Sequence, residues 1–428
     1  MSKALLDRLR CPPEAVLDHV ANGQDMIVGL GNGEPVTVLD ALEAGAGQHL
    51  NGVRIHQMLP LHERPSIRGE VPGLRHVSWF LYPANREAFH EGKCDLVPNS
   101  FSEVPRMLRR STKCSLMLSA ASPPDEHGYF SLGCHAEYSA AFIGEVPFFL
   151  EANPNMPRTF GENAVHASQV VGWCEADHPL VEVPPRPARD TDRRIAELVA
   201  DRIPDGATLQ AGIGSVPNEV LGLLAGHREL GVHTELLSDG FVPLIESGVV
   251  TGTRKRTHRN KVITTTVLGS KRLYDFVGEN SGIELWPVSH TNNPANIAAE
   301  ENMVAVNAAV EVDFLGQCAS ESLGSDYWSS SGGQPDFNRG ALLAANGRSF
   351  IVLHSTTADQ SASRIVARLH PGAAVTTFKN IVDNVVTEHG VAELRGSPIR
   401  ERTRRLIAIA HPKFQADLER EAREIGYL

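Results

Sequence analysis

Short apolar, β-rich runs alternate along this chain with amphipathic helical patterns, and that alternation limits its folding options more than any other feature. DMIVGLG (25–31), VITTTVLGS (262–270) and SFIVLHS (349–355) are too short for core helices and rich in β-branched residues. TDRRIAELVADRI (191–203) and SRIVARL (363–369) carry apolar residues at helical spacing. Parallel strands need a crossover connection, and the helices that supply it cover both faces of the sheet. The alternation therefore specifies an α/β fold with mostly parallel sheets.

A chain of 428 residues exceeds one ordinary core, so two α/β domains are expected. The boundary is marked by VEVPPRPARD (181–190), where Pro184, Pro185 and Pro187 remove ladder donors and disfavour helix. Domains of residues 1–183 and 184–428 follow, with Asp190 or Thr191 capping the first helix of the second. The two halves open alike. Residues 13–35 read as helix, polar turn, strand, then Gly29, Gly31, Gly33 and Pro35; residues 192–217 repeat the order and end on Gly212, Gly214 and Pro217. Two similar open domains are the expectation, with a site in the cleft between them at strand carboxyl ends.

Several function classes fall away. A net charge of −11 leaves no basic surface for general nucleic-acid binding. Cys11, Cys94, Cys114, Cys134, Cys174 and Cys318 include no CxxC pair, which argues for free thiols in a reducing compartment and against a zinc ribbon. No stretch approaches the roughly 20 apolar residues of a membrane span. Neither HExxH nor GxSxG occurs, so a zinc hydrolase and a serine esterase of the α/β-hydrolase type are disfavoured, and no metal ligands are assigned.

Three segments can carry chemistry. Gly212 and Gly214 follow a strand, where backbone N–H groups can approach a phosphate or an oxyanion; without GxGxxG a dinucleotide site is disfavoured. In GVHTELLSDGFVPLIESG (231–248), Thr234, Glu235, Ser238 and Asp239 form a polar cluster between apolar flanks. A carboxylate with the ordinary glutamate pKa of roughly 4.3 is ionised at neutral pH and needs no base to act as a nucleophile. In SSSGGQPDFNRGA (329–341), Gly332 and Gly333 offer adjacent N–H groups and Gln334 an amide donor, a set able to hold an oxyanion. Glu63, Glu126 and Glu388 compete as nucleophiles, each beside a histidine or arginine. The run RKRTHRNK (254–261) is either a solvated face or a partner for a ligand's anionic groups.

Seven ordered blocks give the chain a resemblance to the acetyl-CoA hydrolase/4-hydroxybutyrate CoA-transferase family of class I CoA-transferases. They are VPNSFSEVPRML (97–108), SPPDEHGYFSLG (122–133), GATLQAGIGSVPNEVL (206–221), GVHTELLSDG (231–240), NPANIAAEENMVAVNAAVEVD (293–313), SGGQPDFNRGA (331–341) and PGAAVTTFKNIVDNVVTEHGVAELRG (371–396). The resemblance implies that Glu235 is the residue that carries CoA as a glutamyl thioester. It implies a CoA-binding loop at Gly212, Ile213, Gly214, Ser215 and Val216, with further cofactor contacts at Val310 and Gly333. Gln210, Gly332, Gly333 and Gln334 then serve the oxyanion and substrate. Where the family commonly has a lysine, this chain has Thr357 in HSTTADQ, so one contact to the charged end of CoA is altered.

The activity implied is transfer of CoA between a short-chain acyl-CoA and a carboxylic acid, with 4-hydroxybutyrate, butyrate, acetate or itaconate as candidate substrates. No permanently bound cofactor is expected, CoA being both substrate and covalent intermediate. Partners are small: acyl-CoA and carboxylic acids, with neither nucleic acid nor membrane, in a cytoplasmic homodimer. An acetyl-CoA hydrolase using the same glutamate is the nearest alternative, and a non-catalytic CoA-binding protein is the alternative from another class.

Overall fold

The computed structural model describes residues 2–212 and 214–428. They divide into two compact units: residues 1–183 with 263–291, and residues 184–262 with 292–428. The chain thus leaves the first unit after residue 183, and the segment 263–291, which the sequence placed in the second domain, packs with the first. The strand Ile283–Leu285 pairs with Phe160–Gly161, the Ala136 N–H donates to the Thr265 carbonyl at 2.9 Å, and the Tyr274 hydroxyl donates to Val181 O at 2.7 Å. These are backbone and side-chain bonds across more than 90 residues of sequence, which no local pattern announces.

The first unit is built on a seven-stranded, all-parallel sheet. Its strands are β1 (Asp25–Val28), β2 (Val53–Met58), β3 (Leu74–Phe80), β4 (Asp95–Leu96), β5 (Cys114–Ala121), β6 (Phe148–Ala152) and β7 (Val170–Glu175). They lie in the order β7-β6-β5-β1-β2-β3-β4. Helices α1 (Val36–His49), α2 (Pro83–His90) and α3 (Val104–Ser111) connect them. All four residues of β1 are buried, as a central parallel strand covered on both faces requires. Val28, Val38, Leu39, Leu42 and Phe149 share one core with Met26 and Leu118. The helix expected to open the segment 13–35 is a 3-10 helix, Pro13–His19.

The second unit carries a six-stranded sheet: β8 (Thr208–Ala211), β9 (Gly231–Val232), β10 (Met303–Ala308), β11 (Arg348–Val352), β12 (Asn384–Thr387) and β13 (Gly390–Glu393). The order is β9-β8-β10-β11-β12-β13, parallel except for the last pair. Residues 184–189 form no regular element, and helix α4 (Asp190–Ala200) begins directly after them. Its capping bond comes from neither Asp190 nor Thr191; the Asp192 carboxylate reaches back to the Arg189 N–H at 2.8 Å. Helices α5 (Ser215–Leu223), α6 (Gln334–Leu343), α7 (Ile399–Ala408) and α8 (Pro412–Glu424) complete the unit. α6 packs Phe337 and Ala341 on Met303 and Ala305 of β10, so its N-terminus lies at the carboxyl end of the parallel strands. SRIVARL, read as helical, is instead extended: Ile365–Val366 pairs in parallel with Val312–Asp313. A four-residue apolar spacing inside a short run fits either period, and the neighbouring edge decided it.

Candidate active site

β9 delivers Glu235 to the carboxyl edge of the second unit's sheet. His233 and Thr234, the two residues between strand and glutamate, are fully buried. The basic run holds this strand in place. Lys255, itself buried, donates from Nζ to Val232 O at 2.9 Å and to Lys261 O at 3.0 Å. A Cβ on Gly231 would meet the Lys255 stem at 2.6 Å, which is why β9 begins with glycine. Arg254 pairs with Glu229 and Arg256 with Glu301, so these cations are engaged within the fold.

Asn292 and Gly333 both donate to the Glu235 carboxylate. Asn292 Nδ2 donates to Oε2 at 2.6 Å, and the backbone N–H of Gly333 donates to the same carboxyl group. Gly333 immediately precedes α6, so the carboxylate faces the positive end of that helix. Its backbone is ordinary at φ −94°; glycine is needed for space, because a Cβ would land on Oε2 of Glu235 and on Nδ2 of Asn292. Gly332, at φ +55°, supplies the left-handed turn before it.

These donors do not leave Glu235 an ordinary carboxylate. Burial pushes its pKa up to about 7, the nearby Asp336 charge adds to the rise, and the bonds from Asn292 and Gly333 only partly oppose it. The expectation of a group ionised throughout the neutral range is therefore corrected. Part of the residue stays accessible to solvent even though its carboxyl is densely surrounded. A carboxylate made more basic and yet reachable is suited to nucleophilic attack.

The remaining candidates separate. Gln334 starts α6, and its Nε2 is buried with no partner among the described residues, a donor left for a bound group. Gln210 on β8 is committed sideways: its amide exchanges hydrogen bonds with Asn307 of β10 at 3.2 and 3.1 Å. Gly212 donates its N–H to Val306 O at 2.9 Å, and Gly214 caps α5 at φ +131°, a conformation that excludes other residues without strain. Ser215 and Val216 form the first turn of α5, while Ile213 lies outside the described residues. The Ser238 hydroxyl donates to Asn218 of α5 at 3.3 Å, joining the glutamate segment to that helix. Val310 follows β10 and donates its N–H to Ala319 O at 2.8 Å. Thr357 closes a self-contained turn, its hydroxyl donating to Asp359 at 2.6 Å; bonds from Thr357 and Ser361 hold that carboxyl down at about 2. An acidic turn thus stands where a lysine was expected to meet the cofactor.

Among the rival glutamates, Glu388 accepts from the Ser355 N–H and hydroxyl at 3.0 and 2.5 Å, a structural use, and Glu63 and Glu126 are exposed on the first unit. Asn292 is the residue that sequence reasoning missed. It stands one position before a recognisable block, and in the pair Asn292-Asn293 the second caps a helical turn through Ala295 N–H at 2.9 Å. The first is left to turn toward Glu235. Among the described residues no three His, Cys, Asp or Glu side chains are grouped to hold a metal, and no helix is long and apolar enough to cross a membrane.

Comparison with known proteins agrees with this architecture. Residues 6–182 match the acetyl-CoA hydrolase/transferase N-terminal domain and residues 269–422 the C-terminal domain of the same family. The chain is 41% identical to the succinyl-CoA:cyclohexane-1-carboxylate CoA transferase of Geobacter metallireducens, over 97% of this chain and 95% of that protein. It is 38% identical to the 4-hydroxybutyrate coenzyme A transferase of Clostridium kluyveri, covering 95% and 96%. The crystal structure of RipA from Yersinia pestis superposes with a TM-score of 0.95 at 33% identity, covering 100% of both chains.

Proposed function

The chain belongs to the acetyl-CoA hydrolase/4-hydroxybutyrate CoA-transferase family, and from that premise we propose that it moves CoA between a short-chain acyl-CoA and a carboxylic acid through a thioester on Glu235. The observation that carries this reading is the Glu235 carboxyl, raised in basicity and held from one side by Asn292 and Gly333.

The steps follow from that geometry. Ionised Glu235 attacks the thioester carbon of the donor through Oε1, while Oε2 stays on the Asn292 amide. The C–S bond breaks, giving an acyl-glutamyl anhydride and CoA thiolate. The thiolate then attacks Cδ of Glu235, the C–O bond of the anhydride breaks, and the donor leaves as its carboxylate. During that attack negative charge gathers on Oε2, where the Asn292 amide already sits and against which Gly333 packs; donors fixed before the charge develops cost no reorganisation. The acceptor carboxylate runs the sequence backwards. Binding of the long pantetheine arm along the glycine loop contributes energy that positions the carbonyl.

Resemblance to transferases supports transfer over hydrolysis, in which water would resolve the same thioester. Candidate acyl groups are 4-hydroxybutyryl, butyryl, acetyl and itaconyl, and the working form in this reading is a cytoplasmic homodimer. The decisive experiment treats the enzyme with acyl-CoA and no acceptor, then with borohydride, which reduces thioesters but not free carboxylates. Inactivation that needs the donor, with CoA mapped to Glu235, is the expected result. CoA mapped to Glu388 or Glu63, or a fully active Glu235→Gln, would overturn it. A matrix of donors against acceptors, with a no-acceptor control, assigns the substrates.

A further inference from the structure

The reading above gives CoA two separate segments of the second unit: the glycine loop leading into α5, and the loop that follows β11 and contains Thr357. One buried carboxylate that belongs to neither lies against both. Asp192, on the first turn of α4, is 2% exposed. Its Oδ1 lies 2.6 Å from Nε2 of His354, the second residue beyond β11. Its Oδ2 accepts the Arg189 N–H at 2.8 Å; α5, which begins at Ser215, packs along α4, and the Ser215 hydroxyl is near enough to help hold this carboxyl's pKa down. Burial would raise this carboxyl, but the Arg189 N–H, His354 and Ser215 outweigh it and hold the group below the ordinary aspartate value. Beyond His354, Ser355 is fastened from the other side by Glu388, so the Thr357 turn hangs between two anchors.

We propose that Asp192 is a positioning residue for the cofactor, setting the glycine loop and the Thr357 loop at a fixed spacing by holding Ser215 and His354 at once. The inference rests on the assignment of those two loops to CoA. It has a chemical reason in this chain. Where a lysine would grip the ligand directly, Thr357 turns inward to Asp359. Affinity at that loop then depends on where the backbone is held rather than on a charged side chain. A misplacement of about 1 Å is enough to cost ~100-fold in a positioned site.

The test separates loop spacing from simple stability. Asp192→Asn preserves size and one acceptor but cannot serve Arg189, His354 and Ser215 alike. The dissociation constant for desulfo-CoA, measured by calorimetry on the full-length enzyme, should rise tenfold or more, and KM for acyl-CoA with it. KM for the acceptor acid should stay within about threefold, as should kcat. Ser215→Ala and His354→Phe should each weaken desulfo-CoA binding, and non-additively together, while in the Asp192→Asn background their effects should become additive. An unchanged dissociation constant in folded Asp192→Asn, or strict additivity in the wild-type background, would overturn the proposal. If Asp192→Asn fails to fold, the Ser215→Ala and His354→Phe cycle alone decides. Gly214→Val distinguishes the two levels: if it leaves desulfo-CoA affinity unchanged, the loop assignment itself is wrong. If Gly214→Val weakens binding and Asp192→Asn does not, only the positioning role is lost.

Discussion

Gly333 and Gly212 look interchangeable in the sequence, two glycines in two donor-rich turns, and the structure makes opposite demands on them. A methyl group at 333 would occupy the space of the Glu235 carboxyl, whereas at 212 its nearest neighbour is Val306 O at 3.4 Å. Gly333→Ala is therefore expected to depress transfer at least ~100-fold by displacing the nucleophile, with the circular-dichroism spectrum unchanged. Gly212→Ala should fold and retain transfer to within about tenfold; steady-state rates of the pair check both. The raised pKa of Glu235 gives a second expectation. With ionisation near 7, kcat/KM for acyl-CoA should climb with pH and level off above that value. Asn292→Leu removes a bond that stabilises the ionised form, so the rise should move to higher pH; a profile flat from pH 5 to 9 in the wild type would contradict the assignment. Stability runs the opposite way with pH. The folded-state pKa lies above the ordinary 4.5, so this group's contribution to stability is whole below about 4.5 and is lost as the pH passes through about 7. Glu235→Gln should accordingly stabilise the protein more at pH 8 than at pH 5, by an amount on the order of a few kcal/mol.

At the scale of elements, the basic run 254–261 shows how one stretch of like charge divides its labour. Lys255 is buried under β9 and hydrogen-bonds two backbone carbonyls, while Arg254 sits at the surface opposite Glu229. Exposed ion pairs contribute little, but leaving two buried carbonyls without their donor costs about 1–3 kcal/mol. Lys255→Met should lower the melting temperature by several degrees, and Arg254→Ala should leave it nearly unchanged; thermal denaturation at one pH compares them. A drop for Arg254→Ala equal to that for Lys255→Met would show that the run acts as a surface network instead. The same contrast explains why composition could not resolve the run. Lys and Arg look alike in a charge count, and only the strand laid over Lys255 distinguishes them.

For the whole molecule, the consequence lies in segment 263–291. The chain passes out of the first unit after residue 183 and returns to it 80 residues later. A fragment of residues 1–183 lacks the strand that pairs with Phe160–Gly161 and the Tyr274 hydroxyl that satisfies Val181. Expressed alone it should melt without cooperativity or aggregate. Supplying residues 263–291 after a flexible linker should restore a cooperative transition. Cooperative folding of 1–183 by itself would mean that the returning segment is dispensable.

The local physics of the chain was enough for the architecture. Buried β-branched runs of four to six residues between amphipathic helices permit little besides parallel sheets, and the proline run at 184–187 forbids regular structure wherever the rest of the chain goes. The polar cluster around Glu235, the glycine loop and the Gly332-Gly333 pair were legible because polarity and lack of side chains are written at single positions; choosing Glu235 over Glu63, Glu126 and Glu388 took the resemblance carried by the seven ordered blocks. What the tertiary structure alone decided depends on neighbours far away in sequence. It brought Asn292 onto Glu235 across 57 positions, drew Ile365–Val366 of the 363–369 run into a strand beside Val312, and bound Gln210 to Asn307. It also moved the pKa of Glu235, the proposed nucleophile, to about 7, because burial and the Asp336 charge act through distance in space rather than along the chain.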